Sequence, residues 1–116
     1  MKSIGIVGTR RRNAKVDYDT VNQAFLKVYQ EGDRIVSGGC PTGGDRFAEV
    51  LAKKYQVSIL IHYAKWNIHG KAAGFIRNGD IARDSDILIA CVAPDRTGGA
   101  EDTIKKFNNP EKTIIV

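Results

Sequence analysis

The residues able to do chemistry in this chain are arginines and glycine-rich turns, because the familiar catalytic constellations fail one by one. Gly39-Cys40-Pro41-Thr42-Gly43-Gly44 begins like a phosphate-binding P-loop, but Asp45-Arg46 stands where Lys followed by Ser or Thr is needed. Without that lysine and the magnesium-binding hydroxyl, P-loop NTPase chemistry is not expected. Gly5-Ile6-Val7-Gly8-Thr9-Arg10 lacks the G-x-G-x-x-G spacing of a dinucleotide turn, and no G-x-S-x-G elbow occurs. His62 and His69 lack the pairing with Cys or carboxylates that a metal needs, so no metal and no cofactor are expected. Cys40 and Cys91 read as two small buried thiols rather than a disulfide framework, which suits a reducing, cytoplasmic setting.

What remains is a set of residues suited to an anion. Gly38-Gly39 lets backbone come close to a phosphate, and Gly43-Gly44 and Gly98-Gly99 open helical patterns with bare N–H groups. Gly8-Thr9-Arg10 follows an apolar run, with Arg10 as the member of the Arg10-Arg11-Arg12 tract expected to reach a ligand. Asp45 suits either ribose hydroxyls or the capping of a helix start, with Arg46 beside it. Arg77 offers a fork to phosphate and Asn78 a partner for a sugar or base edge. Trp66, the single tryptophan, suits either a wall for a base or a place in the core. Lys71 adds charge to the same segment, which Gly74 closes.

These residues need elements to hold them. Short β-branched runs cover 3–7, 34–37, 57–62, 86–92 and 113–116, and consecutive apolar residues such as Ile59-Leu60-Ile61 mark strands covered on both faces. Between them, 19–29, 44–55, 73–82 and 100–107 are apolar at helical spacing, with Phe75, Ile76 and Ile81 the apolar side of the third helix. Strand alternating with helix implies a three-layer α/β fold with a parallel sheet. The expected Rossmann-like order is 3-2-1-4-5, five strands flanked by four main helices. Ligands of such sheets bind beyond the carboxyl ends of the strands, near the point where strand order reverses. Half of the eighteen basic residues fall there: Arg10, Arg11, Arg12, Lys15, Arg46, Lys65, Lys71, Arg77 and Arg96.

Length and composition agree with one small domain spanning residues 1–116. Hydrophobic residues make up 42% and charged residues 27%, which excludes a disordered or collagen-like chain. No apolar run approaches the roughly 18 residues of a membrane span, and no signal peptide is expected at the start. The net charge of +5 favours anionic partners.

Three segments also carry a resemblance. Ile35-Val36-Ser37-Gly38-Gly39 followed by Gly43-Gly44-Asp45-Arg46-Phe47-Ala48 resembles the "SGG-x-x-G-x-D-x-x-A" turn of the SLOG superfamily, which includes the DprA (Smf) and Lonely-guy (LOG) proteins. The stretch Trp66–Asn78 is similar to a "W-x-x-x-G-K-x-A-G-x-x-R-N" block of a small single-domain branch of that group. Asp86–Cys91 with Gly98-Gly99-Ala100-Glu101-Asp102-Thr103-Ile104 resembles the branch's "D-x-L-I-A … G-G-T-x-x-x-I" ending.

The resemblance implies a Rossmann-like module for a nucleotide or nucleotide-derived ligand held by phosphate at the glycine-rich edge. It offers as alternatives a LOG-like N-glycoside hydrolase acting on nucleoside monophosphates, or DprA-like binding of single-stranded nucleic acid. Homodimers built through helices flanking the site are also implied. The LOG loop reads "P-G-G-x-G-T-x-x-E" with a catalytic glutamate and a partner arginine. Here Ala100 replaces its threonine and Thr103 falls at its glutamate. Glu101, with Arg77 as its arginine, is the residual catalytic candidate, and the residues leave open whether the chain is an enzyme.

Overall fold

The computed structural model describes residues Met1–Val116. The chain runs β1 (Ser3–Gly8), α1 (Lys15–Val28), β2 (Arg34–Ser37), α2 (Gly44–Tyr55), β3 (Ile59–Ile61), α3 (Trp66–His69), α4 (Ala73–Asp84), β4 (Ile87–Cys91), α5 (Gly99–Phe107) and β5 (Thr113–Ile115). Short 3-10 turns cover Gly70–Ala72 and Pro110–Lys112. All strand pairs are parallel and the order is β3-β2-β1-β4-β5, the order expected from the sequence.

The alternation of the strands builds two cores. Ile4, Ile6, Ile35, Ile89 and Cys91 turn toward Val21 and Phe25 of α1 and Phe47, Ala48 and Leu51 of α2. Val7, Val36, Leu88 and Ala90 turn the other way, toward Ile81 of α4 and Ala100 of α5. A parallel sheet covered on both faces needs apolar residues at successive positions, which is why these strands read as unbroken apolar runs. The larger core is completed by aromatics, with Phe25 stacked on Tyr29 at 5.1 Å and on Tyr55 at 6.0 Å.

Four local expectations change. Helix α1 starts at Lys15 rather than 19, because the Asp17 carboxylate accepts from the Ala14 N–H at 3.1 Å and from Arg12 Nε at 2.9 Å. An acid three residues into the helix thus does the capping that Ala14 itself cannot. Strand β3 is confined to 59–61, since Gln56 adopts a left-handed φ of 55° and Val57 donates back to the Ala52 carbonyl to close α2. The stretch between β3 and α4, to which the periodicity assigns no element, forms α3 and a 3-10 turn, separated at Gly70 with φ 57°. Finally, Phe75 and Ile76 are exposed while Ile81 is buried. Helix α4 packs on α5 and on the β1–β2 part of the sheet, with Ile81 on its buried side, while Phe75 near its start meets the Lys106 ammonium over its ring at 5.5 Å.

Candidate functional site

Chain order reverses at β1, which lies between β2 and β4. The loops leaving these strands part above the sheet, and a crevice of about 630 Å³ opens there. Its walls include Gly8, Thr9, Arg10, Gly38, Gly39, Asp45, Trp66, Arg77, Asn78, Gly98 and Gly99, so these sequence-selected residues are brought together. Gly44, Arg46, Lys71, Gly74 and Glu101 lie outside the lining. Each has a structural reason. A Cβ at Gly44 would fall 2.4 Å from the Gly8 nitrogen, so this glycine lets α2 touch β1 backbone to backbone. Arg46 turns outward onto the Asn13 side-chain oxygen at 2.8 Å, with its guanidinium over the Phe47 ring. Lys71 is exposed on the 3-10 turn, and Gly74 packs under Trp66.

Asp45 and Arg77 form the hub of one wall. The Asp45 carboxylate accepts from Ser37 Oγ at 3.2 Å and from the Cys40 N–H at 3.1 Å. Burial pushes its pKa up, a shift that these bonds and the charge of Arg77 oppose. Arg77 donates through Nη1 to the Gly38 carbonyl at 2.6 Å, and that nitrogen stands 3.9 Å from Asp45. Its Nη2 makes no hydrogen bond within the chain. Asn78 donates to the Gly99 carbonyl at 3.3 Å and to Asp102 at 3.1 Å. The Arg77-Asn78 pair therefore fastens α4 to the β2 loop on one side and to α5 on the other.

Two helix starts face this region, and they are not equivalent. The start of α2 is already served, for Asn13 accepts the Gly43 N–H at 2.9 Å. The start of α5 is open: Gly98, at φ 108°, has no neighbour near where a Cβ would stand, and Gly98, Gly99 and Ala100 all line the crevice. Arg10 is exposed on the opposite lip with no intramolecular partner. Arg11 beside it reaches across to Asp95 and Thr97. Arg12 leaves the crevice, donating to the Val92 and Val116 carbonyls at 3.0 and 2.8 Å and tying the ends of β4 and β5.

The third side is aromatic. Trp66 and Tyr63 are 60% and 63% exposed, so both present a free ring face, and Trp66 is a wall residue rather than core. A Cβ at Gly39, which has φ 75°, would fall 2.5 Å from the Tyr63 ring. Gly38-Gly39 is thus closed by Arg77 and Tyr63, and its glycines serve packing. Glu101 forks onto Arg96 at 2.8 and 3.0 Å, outside the crevice, while Thr103 is buried and donates to the Gly99 carbonyl.

Several lining residues lack a sequence signal strong enough to select them: Arg11, Cys40, Pro41, Tyr63, Ala64, Ile81, Ala100 and Thr103. Cys40 is half-exposed rather than buried, while Cys91 is buried as expected. Thr97, next to Gly98-Gly99, also lines the site. Position directly after a strand was the one signal that would have found Tyr63.

The fold and crevice define a Rossmann-like three-layer α/β protein with its candidate site at the topological switch point. Among solved structures, the chain is similar to the molybdenum cofactor binding protein from the phototrophic bacterium Rippkaea orientalis, with a TM-score of 0.74 and 22% sequence identity. The likeness covers 98% of this chain and 75% of that one. No protein-family model matches the sequence, and no curated protein gives a significant match.

Proposed function

We propose that the chain is a SLOG-type binding module for a nucleotide or nucleotide-derived small molecule. The phosphate sits at the open Gly98-Gly99 start of α5 and the flat ring lies on the Trp66–Tyr63 wall. The observation that carries this reading is convergence: Arg10, Arg11, Arg77 and the α5 start meet an exposed aromatic wall in one crevice. Arginine forks and unpaired helix N–H groups both favour a multiply charged oxyanion. Aromatic faces accept heterocycles with little regard to identity.

The likeness to a molybdenum cofactor binding protein favours a second ligand of related chemistry. A bound cofactor would find here the arginines of the crevice and the exposed Trp66–Tyr63 wall. Hydrolysis of a glycosidic bond has less support, since Glu101 is held by Arg96 and Thr103 offers no carboxylate. Two aromatics on one wall likewise make a poor track for single-stranded nucleic acid. Calorimetric titration with AMP, inorganic phosphate and molybdenum cofactor tests the reading, with Trp66 fluorescence as an independent signal. Saturable binding of AMP or molybdenum cofactor that perturbs Trp66 supports it, and heat without a change at Trp66 removes the ring wall from it. Release of free base from AMP would promote the hydrolase.

A further inference from the structure

One ion pair spans the mouth of the crevice. Arg11 lies on the loop after β1, and Asp95 and Thr97 lie on the loop after β4, the neighbouring strand. Arg11 Nη1 donates to Asp95 Oδ2 at 3.1 Å, and Nη2 donates to Asp95 Oδ1 at 2.8 Å and to Thr97 Oγ1 at 2.9 Å. Thr97 in turn donates to Asp95 Oδ1 through its hydroxyl at 2.7 Å and through its N–H at 3.2 Å. The loop that presents the acid is well fixed. Arg96 donates its N–H to the Ala93 carbonyl at 3.0 Å, closing a turn over Pro94-Asp95, and its side chain forks onto Glu101.

The pair has two properties that matter together. Arg11 lines the crevice, one residue from the unpartnered Arg10, and Thr97 adjoins the open start of α5. Yet Arg11 and Asp95 are 53% and 57% exposed, so the pair is held in water and is cheap to exchange for another anion. A carboxylate occupying both arms of a guanidinium uses the geometry that a phosphate would use.

Resting on the phosphate-binding reading above, we propose that Asp95 is an internal competitor for Arg11, an anion built into the loop that a ligand phosphate must displace. Asp95 holds the Arg11 fork when the crevice is empty. A phosphate seated at Gly98-Gly99 takes over that fork and releases the carboxylate. The exchange makes the site selective for charge. A dianionic phosphate outcompetes one carboxylate for the guanidinium, whereas a ligand with a single carboxylate gains nothing over Asp95. Hydrogen bonds from Arg11 and Thr97 keep the Asp95 carboxyl well below the usual carboxylate range, so the competitor stays ionised wherever phosphate binding is measured.

The test is a double-mutant cycle on the full chain, titrated with AMP and with inorganic pyrophosphate. Asp95→Asn is expected to tighten both by about fivefold, the equivalent of one exposed ion pair. Arg11→Ala is expected to weaken both. In the Arg11→Ala background, Asp95→Asn is expected to change affinity less than twofold, because the competitor then has nothing to hold. If Asp95→Asn tightens binding equally in both backgrounds, its effect is general charge and the proposal falls. If Asp95→Asn weakens binding or leaves it unchanged while the wild type binds AMP, the competitor role falls and the binding reading survives. If neither wild type nor Asp95→Asn binds AMP or pyrophosphate, both fall together. Thermal melts of each variant report folding, and Asp95→Ser provides a second uncharged replacement.

Discussion

Arg77 serves both the architecture and the proposed site, and measurement can separate the two. Its Nη1 holds the Gly38 carbonyl beside buried Asp45, while Nη2 is available to a ligand. Arg77→Ala should therefore lower AMP affinity by about 1.5–3 kcal/mol, the range for a charge-assisted bond, and also lower the melting temperature. Arg77→Lys, which keeps the charge and loses the fork, should retain more stability than affinity. Calorimetry and thermal melts on both variants check this, and unchanged affinity in Arg77→Ala would remove it from the site. Asp45 carries a pH signature. Burial raises its pKa above the ordinary 3.8, so the folded state holds that proton more tightly than the unfolded chain. Its contribution is full below 3.8 and is lost as pH rises through the raised value. Urea unfolding across pH 3–7 should show a downward component with rising pH that Asp45→Asn abolishes.

At the scale of elements, the crevice depends on how closely α2 and α4 approach their neighbours. Gly44 has no room for a Cβ, which would fall 2.4 Å from both Val7 C and Gly8 N. Both atoms are backbone, so Gly44→Ala must push α2 off β1, and about 1–3 kcal/mol of destabilisation is expected. Gly79 in α4 is the contrast: a Cβ there meets only the Lys106 side chain at 3.9 Å. Gly79→Ala should stabilise by about 0.5–1 kcal/mol through helix propensity. Denaturant midpoints for the pair check the sign at each position. The sequence shows both as helical glycines, and nothing local distinguishes them. What separates them is a backbone approach between residues 36 positions apart, 44 and 8, against an ordinary contact with one flexible lysine.

For the whole molecule, the far edge of the sheet from the crevice is fastened by Asp33. Its buried carboxylate accepts from the Lys2 N–H at 2.8 Å, from Lys2 Nζ and from the Gln30 N–H at 2.9 Å. Burial alone would raise its pKa, but the Lys2 and Gln30 bonds outweigh it and bring the value down to about 2. A lowered acid stabilises above its unfolded value, so Asp33 contributes in full above 3.8 and loses that contribution as pH falls toward 2. Asp33→Asn should melt below wild type at pH 7 and converge with it in strong acid, which scanning calorimetry checks. Outside the crevice lining, Ile68 of α3 and Phe75 and Ile76 of α4 are exposed apolar residues. The resemblance implies a homodimer through helices flanking the site, and we propose that these residues of α3 and α4 take part in it. Sedimentation should show dimer for wild type and monomer for Phe75→Asp with Ile68→Asp. No helix is long and apolar enough to cross a membrane.

Residue patterns along the chain were enough to place the five strands, the four main helices and the edge on which the glycines and arginines gather, and they left few strand orders, among which the Rossmann-like 3-2-1-4-5 is the one found. The elements follow from local periodicity, which neighbouring residues carry, and the handedness of parallel crossovers narrows the orders they can take. Which polar groups remain free for a ligand depends instead on contacts between distant parts of the chain. Arg11 meets Asp95 across 84 positions, Arg77 meets Gly38 across 39, and Arg46 meets Asn13 across 33. Such pairings depend on how the loops come together above the sheet, and no short window of sequence contains both partners. The same reason leaves Arg10 unpaired beside two neighbours that are not, closes Gly38-Gly39, and opens Gly98-Gly99.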